Sequence, residues 1–129
     1  MKIYNVQIKT MEKRRSIENG WIEIENGKII AVEEGSPDVV GTEDLDGQGK
    51  LLIPGFIDAH THLGIIENGI DFEGDDCNEA TDPFTPQLRT IDGINPMDRC
   101  FEEAYKRGIT SAVVAPGSAN PCGGEIIAV

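Results

Sequence analysis

The chain has 129 residues, with 23 acidic and 11 basic side chains and a formal net charge of −12. This length allows at most one ordinary domain, and the acidity argues against duplex nucleic acid or an anionic membrane as partner, because both need clustered Lys and Arg. No apolar run approaches the ~20 residues of a membrane helix, and the alternating N-terminus is unlike a signal peptide. With three cysteines and no Cys-x-x-Cys pair, the sequence predicts a cytoplasmic protein with free thiols.

The first 52 residues predict short strands and tight turns that form a packing module. Residues 2–9 alternate apolar and polar side chains, which is typical of a strand. Two apolar-rich runs flank Asn26-Gly27, a strong hairpin signal because both turn residues tolerate positive φ. Residues 44–49 are rich in Asp and Gly and are interpreted as a break between strands. We expect small antiparallel strands here and assign no chemistry to them.

A different pattern begins at Leu51. Residues 51–53 are fully apolar, Pro54-Gly55 bends the chain, and residues 56–62 follow as a second strand-like run. The polar, acidic stretch from Gly64 to Ile94 has no clear periodicity, and a gap of this length is typical of a functional loop or of a disordered one.

A helix followed by a strand is predicted next. Asn95 is a good N-cap, Pro96 suits the first helical position and Gly108 supplies a stop. Apolar side chains recur at helical spacing in one stripe: Met97, Cys100, Phe101, Ala104 and Tyr105. Residues 109–115 then read as a buried strand, and strand, helix and strand in this order predict a βαβ crossover with parallel strands.

The end of the sequence, residues 126–129, is an apolar run without a turn or a polar cap. We interpret it as an interrupted element and expect the chain to be an N-terminal piece of something larger.

The motif Asp58-Ala59-His60-Thr61-His62 contains the most informative chemistry. Alternate strand residues share a face, so His60 and His62 present both imidazoles to one side, as two ligands of one metal require. Asp58 lies on that face and either holds a histidine tautomer or caps a buried polar layer. His-x-His alone also fits two histidines without a ligand role. The context favours metal, because the chain's only two histidines lie at the end of an apolar strand, where α/β proteins place catalytic residues.

Three further residues are candidates for substrate binding. Ser118 and Asn120 follow the second predicted strand and face the same edge as His62, although a turn with internally satisfied polar side chains explains them equally well. Arg89 suits a substrate carboxylate, and an exposed or ion-paired arginine is the alternative.

The residues Pro54-Gly55-Phe56-Ile57-Asp58-Ala59-His60-Thr61-His62 resemble the first barrel strand of the amidohydrolase superfamily. The run from Ile24 to Val32 is similar to the N-terminal hairpin of that family. Three later segments, 78–83, 91–96 and 116–121, resemble the branch that contains imidazolonepropionase and related amidohydrolases.

The resemblance implies an α/β fold: part of a small β-sandwich over residues 1–52, then the first βαβ portion of a (β/α)₈ (TIM-type) barrel over 53–129, incomplete because such a barrel needs about 250 residues. It implies that His60 and His62 bind a divalent metal, most typically zinc, and that metal-activated water hydrolyses C–N bonds of a small-molecule amide. The remaining ligands and the general base would come from later strands. The resemblance therefore assigns no catalytic residue to this chain, and we expect it to be inactive alone.

Two alternatives stay open. The chain could be a non-catalytic, amidohydrolase-like scaffold with a vestigial site. It could also be a self-associating, β-rich binding module, because unpaired strand edges and an exposed inner face need covering. For the hydrolase reading, too, we expect a homo-oligomer.

Overall fold

The computed structural model describes residues 1–13 and 15–129. The chain divides into two compact units, Met1–Pro54 and Gly55–Val129. The first unit contains a four-stranded sheet, and the second contains a three-stranded sheet with short helices. The predicted mixed α/β class is confirmed. Across the described residues, no helix combines the length and the apolar character that a membrane crossing requires.

The first unit contains β1 (Lys2–Lys9), β2 (Ser16–Glu25), β3 (Lys28–Glu34) and β4 (Leu45–Leu52). The strands lie in the order β3-β2-β1-β4. The predicted hairpin joins β2 and β3, and its turn residues Asn26 and Gly27 have φ angles of 51° and 72°. These positive angles are those of a type I′ turn, which matches the twist of the two strands.

The core of this unit lies on one face of the sheet. Val6 and Ile8 of β1 and Ile17 and Ile22 of β2 are buried together. Because side chains alternate across a strand, β1 places the apolar half of its pattern on this face and its polar half on the other.

The prediction of a break at residues 44–49 was wrong. Most of this segment belongs to β4, which pairs with β1 in parallel rather than antiparallel orientation. The glycines that suggested a break allow a close approach instead, since a Cβ on Gly47 would lie 2.1 Å from Cγ1 of Val6. Gln48 and Gly49 have positive φ angles of 55° and 74°, and the strand register shifts nearby.

The second unit contains β5 (Phe56–Thr61), a 3-10 helix (Phe72–Gly74), α1 (Thr90–Gly93), α2 (Arg99–Lys106), β6 (Ile109–Val114) and β7 (Ile127–Ala128). β5 and β6 are parallel and α2 packs on β6, so the predicted strand–helix–strand arrangement is confirmed. β7 pairs with β6 in antiparallel orientation. Strands of a (β/α)₈ barrel are all parallel, so β7 is not a further barrel strand.

The predicted start of α2 was three residues too early. Asp98 is the N-cap, and its side chain accepts a hydrogen bond from the backbone N–H of Cys100. Oδ1 of Asn95 accepts from the N–H of Met97 in a local turn that precedes the helix, and its amide group donates to Glu67. Met97 therefore lies outside the helix and is 86% exposed.

The long polar stretch after β5 is anchored in the second core. Ile65 and Cys77 are buried against Val114 of β6. The loop is thus packed, through these two residues, against the end of β6.

Candidate metal centre

His60 and His62 lie at the carboxyl end of β5, where the strand leads into the long loop. Their ring centroids are 5.4 Å apart and the ring planes are 77° apart. Zn–N bonds are about 2.0–2.1 Å long, so two rings at this separation are close enough to share one cation. His60 is exposed and His62 is half-buried.

The ring of His62 is oriented by the backbone of the neighbouring strand. Its Nδ1 lies 2.7 Å from the carbonyl oxygen of Ala115, directly after β6. A carbonyl only accepts, so Nδ1 carries the proton and, in the neutral ring, Nε2 offers a lone pair. Metal-bound histidines are commonly oriented in this way by a hydrogen bond from the other ring nitrogen.

Asp58 makes a backbone contact. Its Oδ1 accepts a hydrogen bond of 3.2 Å from the N–H of His60. This contact stabilises the backbone that carries the first imidazole. The predicted role of Asp58 as a partner of a histidine ring stays a prediction. Sequence reasoning missed Ala115, because a backbone acceptor leaves no signal in the residue type.

Arg89 is paired within its own segment. Its Nε and one terminal nitrogen donate to the two carboxylate oxygens of Asp92, at 2.9 and 2.6 Å. The Arg89 guanidinium lowers the pKa of Asp92, chiefly through these hydrogen bonds. Both side chains are more than half exposed. A substrate carboxylate would have to displace or share this pairing.

Asn120 and Ser118 lie in different surroundings although they are neighbours in sequence. The Asn120 amide donates to the carbonyl oxygens of Glu79 and Asp82, at 2.9 and 3.2 Å. Asn120 therefore ties the segment after β6 to the long loop. Ser118 lies two residues earlier in the segment after β6, and its side chain is exposed.

A cavity of about 290 Å³ opens between these two segments. Its polar walls include Asp76, Glu79 and the Arg89–Asp92 pair, and Pro116 lines it on the side that follows Ala115. The pKa of Glu79 is lowered, chiefly by a hydrogen bond from the Thr81 side chain. The cavity is therefore predominantly acidic.

The donor set fits a divalent metal in part. Two imidazole nitrogens on one strand end suit zinc, which prefers four ligands in a tetrahedral arrangement. Among residues 1–13 and 15–129, no group of three or more His, Cys, Asp or Glu side chains is close enough to hold an ion. The described residues therefore offer at most these two imidazoles to such a set.

Known proteins similar to this chain are amidohydrolases. The amidohydrolase tasK of Hapsidospora irregularis is 38% identical over 113 residues, which is 82% of this chain and 11% of the relative. An imidazolonepropionase of Caldanaerobacter subterraneus subsp. tengcongensis is 40% identical over 53 residues, which is 41% of this chain and 13% of the relative. No family model matches the chain.

Solved structures give the same result. A crystal structure of an amidohydrolase from Thermotoga maritima matches with a TM-score of 0.88 and 40% identity, over 99% of this chain and 33% of that chain. A prolidase with 18% identity and a TM-score of 0.50 shows a similar fold alone. The chain thus spans between 11% and 33% of the length of the amidohydrolases it matches. These relatives confirm the predicted resemblance to amidohydrolases.

Proposed function

We propose that this relative of the amidohydrolases supplies part of a metal-dependent hydrolase that cleaves C–N bonds of cyclic or linear amides. In this proposal His60 and His62 bind a divalent cation, zinc in the first place. The enzyme acts in the cytoplasm on a small-molecule amide and is a homo-oligomer. The parallel pair β5 and β6 forms the start of a (β/α)₈ barrel whose other strands lie outside these residues.

The observation that carries the proposal is the pair of imidazoles. The ring centroids of His60 and His62 are 5.4 Å apart, so both rings lie close together at the end of β5. Because Nδ1 of His62 bonds to the carbonyl oxygen of Ala115, Nε2 of that ring keeps the lone pair that would bind the metal. When bound, the metal would activate water and polarise the scissile carbonyl. The two histidines would hold it, and the carbonyl of Ala115 would keep one ring at a fixed angle.

The rim of the site supports a substrate-binding role for the segments beside it. The acidic cavity between the long loop and the segment after β6 has about 290 Å³, close to the lower limit for small-molecule sites, and its lining does not include the two histidines. We propose that Ser118 contacts the substrate directly from its exposed turn. Asn120 shapes the rim through its two backbone contacts, and Arg89 meets a substrate carboxylate only when it parts from Asp92.

Metal binding tests the proposal. Equilibrium dialysis of the full chain against Zn²⁺ should show metal bound by the unsubstituted chain, and both His60→Ala and His62→Ala should abolish this binding. Because thiols also bind zinc, Cys122→Ser is the matched control and should leave binding unchanged. Zinc that persists in both histidine variants would contradict the assignment of the ligands.

Catalysis should require more than these residues. Two imidazoles leave a tetrahedral ion without its full set of protein ligands and leave its water without a proton acceptor. We therefore expect no turnover of amides by the isolated chain with added Zn²⁺. Turnover that His60→Ala removes would show that the chain holds a complete site.

Self-association is the second candidate function. β5 is an edge strand of its sheet, and Ile57 on this strand is 73% exposed. An exposed apolar edge strand favours pairing with another chain. Analytical ultracentrifugation distinguishes the cases: concentration-dependent dimers that Ile57→Lys dissociates support pairing through β5, and a monomer at high concentration contradicts it.

A further inference from the structure

The carbonyl that orients His62 belongs to a peptide with no N–H of its own. Ala115 is followed by Pro116, so the peptide bond between them offers only the carbonyl oxygen for hydrogen bonding. On its N-terminal side, the N–H of Ala115 donates to the carbonyl oxygen of Thr61, at 3.0 Å. The direction of the Ala115 carbonyl therefore also depends on what holds the residues after Pro116.

Those residues are held by Asn78 of the long loop. Its Oδ1 accepts a hydrogen bond of 3.2 Å from the N–H of Ala119. Its amide lies directly on Gly117, where an added Cβ would be 2.3 Å from Oδ1 and 2.5 Å from Nδ2 of Asn78. The N–H of Gly117 donates to the carbonyl oxygen of Cys77, the residue before Asn78, at 2.7 Å. The turn 117–119 is thus fixed against one short stretch of the loop.

We infer that Asn78 is a positioning residue for His62, acting through the turn 117–119 and the Ala115 carbonyl. Truncation of the Asn78 side chain removes its bond to Ala119 and its packing on Gly117, so that the bond from Gly117 to Cys77 alone holds the turn against this stretch of the loop. The direction of the Ala115 carbonyl is then less tightly fixed, and the His62 ring keeps its acceptor for a smaller fraction of the time. The ligand role of His62 rests on the proposed function, whereas the hydrogen-bond relay is a property of the chain without metal.

A purely structural role of Asn78 makes a different prediction. If the side chain only fills space beside Gly117, then its loss destabilises the unit without changing the tautomer of His62. If it acts through the relay, then a variant that keeps the Oδ1 acceptor preserves the His62 bond. Asn78→Asp keeps this acceptor and the size of the side chain, while Asn78→Ser is too short to reach Ala119.

Nitrogen-15 NMR of histidine-labelled full chain tests the relay directly. The chain has two histidines, so His60→Gln assigns the signals. The unsubstituted chain should show a protected ring N–H on Nδ1 of His62. Asn78→Ala and Asn78→Ser should raise its exchange rate about tenfold, roughly what the loss of one neutral hydrogen bond permits. Asn78→Asp and the exposed control Asn68→Ala should keep the original rate.

Two results would overturn the inference. One is a proton on Nε2 of His62 in the unsubstituted chain, which requires no variant to fold. The other is unchanged protection of the ring N–H in both Asn78→Ala and Asn78→Ser. Cobalt binding, followed by its visible absorption, separates this inference from the proposed function. If no Co²⁺ binds but the ring N–H responds to Asn78 as expected, the relay stands and the metal proposal fails.

Discussion

The unit Met1–Pro54 and the unit Gly55–Val129 are ordered by different interactions. In the first, four strands pair through backbone hydrogen bonds around a compact apolar cluster. In the second, two long irregular segments are joined by isolated backbone hydrogen bonds, which side chains supplement by bonding to backbone oxygens. Thr85 bonds to Cys122, Thr90 to Glu125 and Asn120 to Glu79 and Asp82.

This difference bears on how polar loop residues are interpreted. In the second unit, a threonine or an asparagine is as much a structural connector as a candidate for substrate contact. Thr85 and Thr90 are buried, and each has its hydroxyl satisfied by a backbone oxygen. An irregular segment near a site needs such partners, because buried polar groups without hydrogen bonds are costly.

The largest expected effect lies in the apolar core of the first unit. Ile17 is 1% exposed, and Ile17→Ala should lower the free energy of unfolding by roughly 2–5 kcal/mol, because it removes packed methyl groups and leaves a cavity. Urea unfolding followed by the fluorescence of Trp21, the only tryptophan, measures it. The control Ile29→Ala, at a side chain 61% exposed, should cost less than about 1 kcal/mol. Equal losses would contradict the assignment of the core.

The next effect concerns the cap of α2. Asp98 accepts hydrogen bonds from the backbone N–H groups of Cys100 and Asn68, both at 3.0 Å. Asp98→Ala should lower the free energy of unfolding by about 1–2 kcal/mol through the loss of the N-cap.

The same carboxylate predicts a pH dependence. The hydrogen bond from Cys100 is the first cause that lowers the pKa of Asp98 below its usual value. A lowered pKa in the folded state means that the contribution to stability is present at neutral pH and is lost as the pH falls below about 4. Asp98→Asn keeps an acceptor for the cap and should flatten this part of the stability profile. An unchanged acid profile in Asp98→Asn would show that other groups cause it.

A smaller effect tests the side-chain connections of the second unit. The Thr90 hydroxyl donates to the Glu125 carbonyl oxygen at 2.6 Å. Thr90→Val keeps the shape but removes this bond, at a cost of about 1 kcal/mol. Hydrogen exchange at the amides of Thr90 and Glu125 should become faster, whereas the exposed control Thr42→Val should leave both unchanged. Unaltered exchange in Thr90→Val would show that backbone pairing alone orders the segments.

The smallest effect lies on the surface of α2. Glu102 and Lys106 form an ion pair one helical turn apart, and both side chains are 58% exposed. A double-mutant cycle should give a coupling of roughly 0.3–0.5 kcal/mol that decreases with added salt. The pair Arg99 and Glu103 has the basic residue first and should couple more weakly. A coupling above that of the Asp98 cap would reverse the proposed order of contributions.

Local sequence signals predicted the parts of the fold that local geometry determines. Asn26-Gly27 forms the expected turn, and Gly108, with a φ of 90°, ends α2 as expected. Sequence signals whose meaning depends on a distant partner led to wrong predictions of secondary structure. The glycine-rich segment 44–49 is interpreted correctly only when Val6 of β1 is beside Gly47. Asn95 closes a local turn before the helix, and its amide bonds to the distant Glu67, so its cap-type signal did not mark the start of α2.

In the candidate site, too, the local features were predicted from the sequence and the contacts with distant segments were not. The spacing of His60 and His62 follows from strand periodicity, so the sequence was sufficient to predict that their rings meet. The acceptor on Ala115 and the contact of Asn78 with Gly117 depend on segments far apart in the chain. No pattern of residue types indicates a backbone oxygen.

Paramagnetic NMR of the full chain with Co²⁺ tests the central claim most directly, namely that His60 and His62 bind the same cation. The claim predicts strongly shifted ring protons from both histidines in one complex and the loss of both sets of signals in either single His→Ala variant. Shifted signals from only one ring, or from neither, would contradict it.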